Sequence, residues 1–98
     1  MPPDDREPTW FVLLEETVGT GDRRTWSLTE VRPSGGYDEA VRAGRDLAFS
    51  FQPRHPMNPR QRSVFQSGDD CWIVVVQGAI RSFHFRVTVA RWLGDAPG

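Results

Sequence analysis

Lysine is absent from this 98-residue chain: all twelve basic residues are arginine, set against thirteen acids. Codon usage in a GC-rich genome accounts for that substitution. The functional alternative is selection for planar, bidentate recognition of phosphate or carboxylate, which arginine performs better than lysine. Cysteine is nearly absent too, and a single Cys71 excludes an internal disulfide while leaving the redox compartment open. No apolar run approaches the ~20 residues a membrane-spanning helix needs. The first eight residues, Met-Pro-Pro-Asp-Asp-Arg-Glu-Pro, are acidic and proline-rich, the opposite of a secretory leader. The expectation is a cytoplasmic protein with no membrane partner.

What is present suits one small domain. Hydrophobic residues make up 38% and charged residues 26%, so a globular core is affordable at this length. Residues 1–8 read as a disordered leader, 9–93 as a single domain and 94–98 as a disordered tail. Net charge is −1, yet residues 1–49 hold six arginines against ten acids while residues 50–98 hold six against three. That asymmetry permits an anion-binding patch in the second half without requiring one.

Hydrophobic periodicity divides the domain. Trp10 to about Val18 reads as a strand, residues 19–22 as a turn, and Thr25 to Val31 as a second strand, together an antiparallel hairpin. From Tyr37, apolar or small residues recur at Ala40, Val41, Gly44, Leu47, Ala48 and Phe51, one face of a helix that Pro53 ends. Asp38 and Glu39 suit its first turn, and Gly44 points to close packing against a sheet. Ser63 to Gln66 forms at most a short strand. Cys71 to Gln77, a tight reversal at Gly78 or Gly78-Ala79, and Ile80 to Trp92 complete a meander. The fold class is therefore α+β: an antiparallel or mixed sheet of four to five strands with one helix on one face.

Two of these strands are apolar at every position, Trp10–Leu14 and Trp72–Val76, and both sides of such strands favour burial. One helix covers only one face. With Trp10, Val12, Leu14, Trp26, Leu28, Trp72, Val74, Val76, Phe83, Phe85, Val87 and Val89 assigned to the helix side, Phe11, Leu13, Ile73 and Val75 face away. Thr25, Ser27, His84, Arg86 and Thr88 would surround them. Four such apolar side chains contribute roughly 6–12 kcal/mol when fully buried, which makes an uncovered face costly. Three covers are open: a proline-rich segment or Trp92-Leu93 of the same chain, a second copy, or another protein.

That proline-rich segment is the other unusual feature. Pro53, Pro56 and Pro59 fall on the three-residue period of a polyproline II rod. Arg54, Met57 and Arg60 share one edge of it, His55 another, with Arg62 just beyond; Met57 is its apolar anchor if the arm braces the domain.

Candidate chemistry is sparse. His55, His84, Cys71, Asp69 and Asp70 lack the spacing of a metal site, so neither metal nor cofactor is expected. Cys71 and His84 would have to meet across a hairpin to act as nucleophile and base, and Cys71 opens an apolar strand where a thiol is inert. Ser34-Gly35-Gly36 is too short for a nucleotide loop, and Asp38 and Glu39 would repel phosphate. No nucleophile–base or paired-carboxylate set emerges, and no enzyme is expected. The reading is a small non-catalytic protein-interaction domain, homodimeric through Phe11, Leu13, Ile73, Val75, His84 and Arg86. Anion or nucleic-acid binding through the arginines of the second half is the alternative.

Overall fold

A computed structural model describes residues 9–19, 23–53 and 59–98. Five strands and one helix follow one another as β1 (Trp10–Val18), β2 (Thr25–Pro33), α1 (Tyr37–Ser50), β3 (Gln61–Gly68), β4 (Cys71–Gln77) and β5 (Ser82–Arg91). The strands form one sheet in the order β2-β1-β5-β4-β3, antiparallel throughout. The chain begins as a hairpin at one edge and crosses the sheet through α1. It then returns as a meander whose last strand pairs with the first.

Alternation along β4 and β5 decides which side becomes the core. Trp72, Val74 and Val76 point toward α1 with Phe85, Val87 and Val89, and Val12 and Leu14 join them from β1. All eight are buried, as are Ala40 and Ala48 on the helix. Small residues on the inner face of α1 let its backbone approach the sheet. A Cβ built on Gly44 would lie 2.8 Å from Cζ3 of Trp72 and 3.5 Å from Val87. Glycine there is a packing requirement, imposed by a rigid indole.

The helix ends are fixed by different means. Gly36 opens α1 with extended backbone and no side-chain cap, and Asp38 and Glu39 occupy the first turn. Tyr37 meets Trp10 edge-on at 4.8 Å between ring centres. At the other end the C-cap Phe51 leaves the helix with φ −61° and ψ 132°, two residues before Pro53, and its ring meets Phe85 edge-on at 5.2 Å.

Several expectations are corrected. β3 begins at Gln61 rather than Ser63 and runs eight residues, because pairing with β4 overrides its weak strand propensity. β2 continues to Pro33, and β5 spans Ser82–Arg91 rather than Ile80–Trp92. The reversal before β5 takes four residues, closed by Gly78 N–H donating to the Arg81 carbonyl at 2.8 Å.

The largest correction concerns β2. Leu14 pairs with Glu30 but Glu15 pairs with Leu28, so Thr29 is an extra residue, a β-bulge. Its hydroxyl donates to the Leu14 carbonyl at 3.3 Å and bonds the Glu16 carboxylate. Beyond the bulge every β2 side chain changes sides. Trp26 and Leu28 lie opposite Thr17 and Glu15, on the face away from the helix, while Thr25 and Ser27 take the helix side.

Gly44→Ala gains about 1 kcal/mol of helix propensity but forces Trp72 or α1 to move, which costs about 1–3 kcal/mol. A net loss is expected, seen as a melting temperature lowered by several degrees in a circular-dichroism melt. A raised melting temperature would show that Gly44 is not held by Trp72.

Candidate functional site

The sheet face opposite α1 is where the remaining apolar surface collects. Strand register builds it in rows. One row crosses all five strands: Leu28, Glu15, Arg86, Ile73 and Phe65. A second holds Val31, Leu13, Thr88 and Cys71; a third holds Pro33, Phe11 and Ala90. Val75 lies opposite His84 and Ser63, with Trp26 nearby on β2. Phe11, Leu13, Ile73 and Val75 are half-buried by their neighbours. Leu28 and Val31 are each 54% exposed, Phe65 57% and Trp26 41%.

All six residues expected to form this face share it: Phe11, Leu13, Ile73, Val75, His84 and Arg86. Four that carry its most exposed apolar surface were not foreseen. Trp26 and Leu28 arrive through the bulge, Val31 through pairing with Leu13, and Phe65 through pairing with Ile73. Pairing register alone exposes the last two; a periodicity reading cannot.

One ion pair interrupts the apolar surface near its middle. Arg86 binds Glu15 with both arms of its guanidinium, Nε to Oε1 at 2.9 Å and Nη2 to Oε2 at 3.0 Å. The same guanidinium lies 4.8 Å from the centre of the Trp26 ring. The bond from Arg86 holds the Glu15 carboxyl below its ordinary value of 4.5, outweighing the opposite effect of partial burial. His84 approaches Trp26 at 6.3 Å, and its backbone N–H and carbonyl both bond the Thr17 hydroxyl. Phe11, Leu13, Val31, Ala90, Arg91 and Trp92 surround a shallow apolar hollow of about 350 Å³ at one end of the face. Trp92 borders that hollow, while Leu93 is exposed, so the C-terminal segment covers only this end.

The Cys71 thiol and the His84 imidazole, which would have to meet to act as nucleophile and base, stand apart. Cys71 lies opposite Thr88 and His84 opposite Val75, with the Ile73–Arg86 pair between them. Four residues of strand separate the two positions, about 13 Å. The Cys71 sulfur instead lies 3.6 Å from the Thr88 hydroxyl. No group of three or more His, Cys, Asp or Glu side chains among the described residues clusters in a way that holds a metal.

Of the proline-arm residues, Arg54, His55 and Met57 lie outside the described residues, and the polyproline rod with them. Arg60 is exposed, and its backbone N–H donates to the Gln77 carbonyl at 2.8 Å. Arg62 has turned inward. It donates Nη1 to the Ala48 carbonyl at 3.0 Å and Nη2 to the Phe51 carbonyl at 2.7 Å, beside the Phe85 ring. The last turn of α1 carries no base of its own, so Arg62 supplies both the missing donors and the positive charge that end requires. Its burial lowers the guanidinium from its ordinary pKa, but an arginine remains charged.

Two predictions follow from these contacts. Replacing Arg62 with alanine leaves helix-end carbonyls unpaired and should lower stability by about 1–3 kcal/mol. Lysine should recover less than half of that, because one ammonium cannot span both carbonyls as the fork does; full rescue in a urea melt would make charge alone sufficient. For Glu15 the folded pKa lies below the unfolded one. Its contribution is therefore present above 4.5 and is lost as pH falls through the folded value. Glu15→Gln should lower stability at pH 7 by under about 1 kcal/mol given solvent screening, seen as a slightly lower melting temperature. The gap from wild type should close as the pH is taken below 4 (a gap that stays constant with pH would remove the ion pair from the account).

Comparison with protein families, with curated proteins and with solved structures finds no match to this chain.

Proposed function

We propose that this protein is a small non-catalytic interaction domain that docks a second copy of itself through the helix-free sheet face. The observation that carries this reading is the exposure of Trp26, Leu28, Val31 and Phe65 on one continuous surface around half-buried Phe11, Leu13, Ile73 and Val75. A face of this kind on a small monomer is an interaction surface by default, and a sheet face fits another sheet face at about 10 Å.

Charge argues for a second copy over a strongly charged partner. A two-fold contact sets a surface against itself, so any net charge on it opposes the same charge. Here Arg86 is neutralised by Glu15 within the face, and the surrounding polar groups are hydroxyls, Cys71, His84 and the amides of Gln61 and Gln77. The pair also limits the approach to orientations that keep it hydrogen-bonded, because stranding either partner in a dry interface is expensive.

The competing reading, anion or nucleic-acid binding, needs free arginines gathered on one surface. Arg62 is committed to the end of α1 and Arg86 to Glu15; Arg60 and Arg81 flank the end of β4, and Arg91 lies at the opposite end of the sheet.

Light scattering at tens of micromolar should give at least twice the chain mass. Leu28→Asp, on a side chain already more than half exposed, should halve that mass while the circular-dichroism spectrum stays native. A wild-type particle of single-chain mass overturns the proposal. Should that particle also bind single-stranded RNA with an affinity that falls steeply with salt, the reading passes to the arginines.

A further inference from the structure

Every open sheet leaves two edge strands with a row of backbone N–H and C=O groups facing outward, and proteins guard such edges against adding another chain. The two edges here are treated differently. β2 carries the bulge at Thr29 and the Glu30–Arg32 ion pair at 2.6 Å, and it ends on Pro33. Bulge, charge and proline are the three common guards. β3, Gln-Arg-Ser-Val-Phe-Gln-Ser-Gly, has no acid and no proline. Its one cation is folded back onto the end of α1, and its one register shift comes at the far end, between Gln66 and Gly68. Phe65 stands 57% exposed in the middle of it. Among the described residues nothing pairs with its outer side.

We infer that the outer edge of β3 pairs antiparallel with β3 of a second copy, centred on Phe65. A two-fold axis normal to the sheet sets each residue opposite one on the same face. Phe65 then meets its own counterpart, Val64 meets Gln66, and Ser63 meets Ser67. Arg62 falls near Gly68, so no like charges oppose one another. Directly opposed aromatic side chains are among the favourable cross-strand pairs. Centring one residue earlier would leave each Phe65 against a serine. The strand is thus its own complement, which is why a second copy is the occupant and not an unrelated peptide.

This contact is separate from the face-to-face contact and does not rest on it. It joins two sheets into one of ten strands, with both helices on one side and both apolar faces on the other. Together the two contacts would assemble four chains with dihedral symmetry.

The test is a disulfide scan in the Leu28→Asp background, which removes the face contact, with Cys71→Ser to leave one thiol. Under diamide, Phe65→Cys should give a covalent two-chain product at several-fold the yield of Ser63→Cys, two residues away on the same face. Equal yields at both positions, or none at Phe65→Cys, overturn the inference. Light scattering separates it from the reading above. Leu28→Asp should remain a two-chain particle, and adding Phe65→Glu should reduce it to one. If Leu28→Asp alone is already single-chain while the wild type is a two-chain particle, the edge contact fails and the face contact stands. If Leu28→Asp leaves a two-chain wild-type mass unchanged and Phe65→Cys still crosslinks, the edge contact stands and the face contact fails.

Discussion

One helix of fourteen residues is about 21 Å long, and five strands lie side by side over about the same distance. α1 can therefore roof one side of this sheet and no more. Its inner face carries Ala40, Gly44 and Ala48, so it lies close on Trp72 and Val87 instead of standing off on long side chains. Close approach lets a short helix seal eight buried strand residues. It is also the one covering layer among the described residues. Whatever apolar surface remains must fall on the other side, and the strands carry more of it than one side can absorb.

The bulge at Thr29 increases that excess. Continued without it, β2 would set Leu28 and Trp26 beside Glu16 and Val18, at the end of the helix side. With it, Leu28 joins Glu15 in the row that ends at Phe65, and Trp26 comes under the Arg86 guanidinium. A single inserted residue thus converts two potential core side chains into surface. It also twists β2 and interrupts its outer hydrogen-bonding row, so the same feature that enriches the face guards the edge. β3 has no equivalent, and the two edges differ for that reason.

The parts of this architecture visible in the sequence are those set by local chemistry. The helix could be placed because Gly36 and Pro53 bracket a 3.6-residue pattern, and Gly44 announced a close approach because glycine inside a helix is costly without one. Side assignment along β5 followed from strict alternation, and along β4 from Gln77, the polar residue that continues the outward set. The parts not visible are set by partners distant in sequence. A bulge depends on which β1 residue each β2 residue meets, so Trp26 and Leu28 alternated correctly and were still placed on the wrong side. Phe65 sits in a run of polar residues that becomes a full strand only because β4 lies beside it. Arg62 was grouped with the proline arm, since nothing nearby in sequence hints that its fork is needed by carbonyls eleven and fourteen residues earlier.

The Glu15–Arg86 pair links these features. It sits in the row that spans the sheet, flanked by Leu28 on one side and Ile73 and Phe65 on the other. Apolar side chains at both positions would make the face stickier and less selective, since hydrophobic contact has no preferred direction. A bidentate ion pair has one: both carboxylate oxygens and the guanidinium plane are already committed to each other and to the Trp26 ring. An approaching surface must cover that unit intact or leave it wet at the rim, and most orientations do neither. Charge at this position thus favours a few registers over general adhesion. A domain with an uncovered apolar face needs such a device to remain specific for one partner.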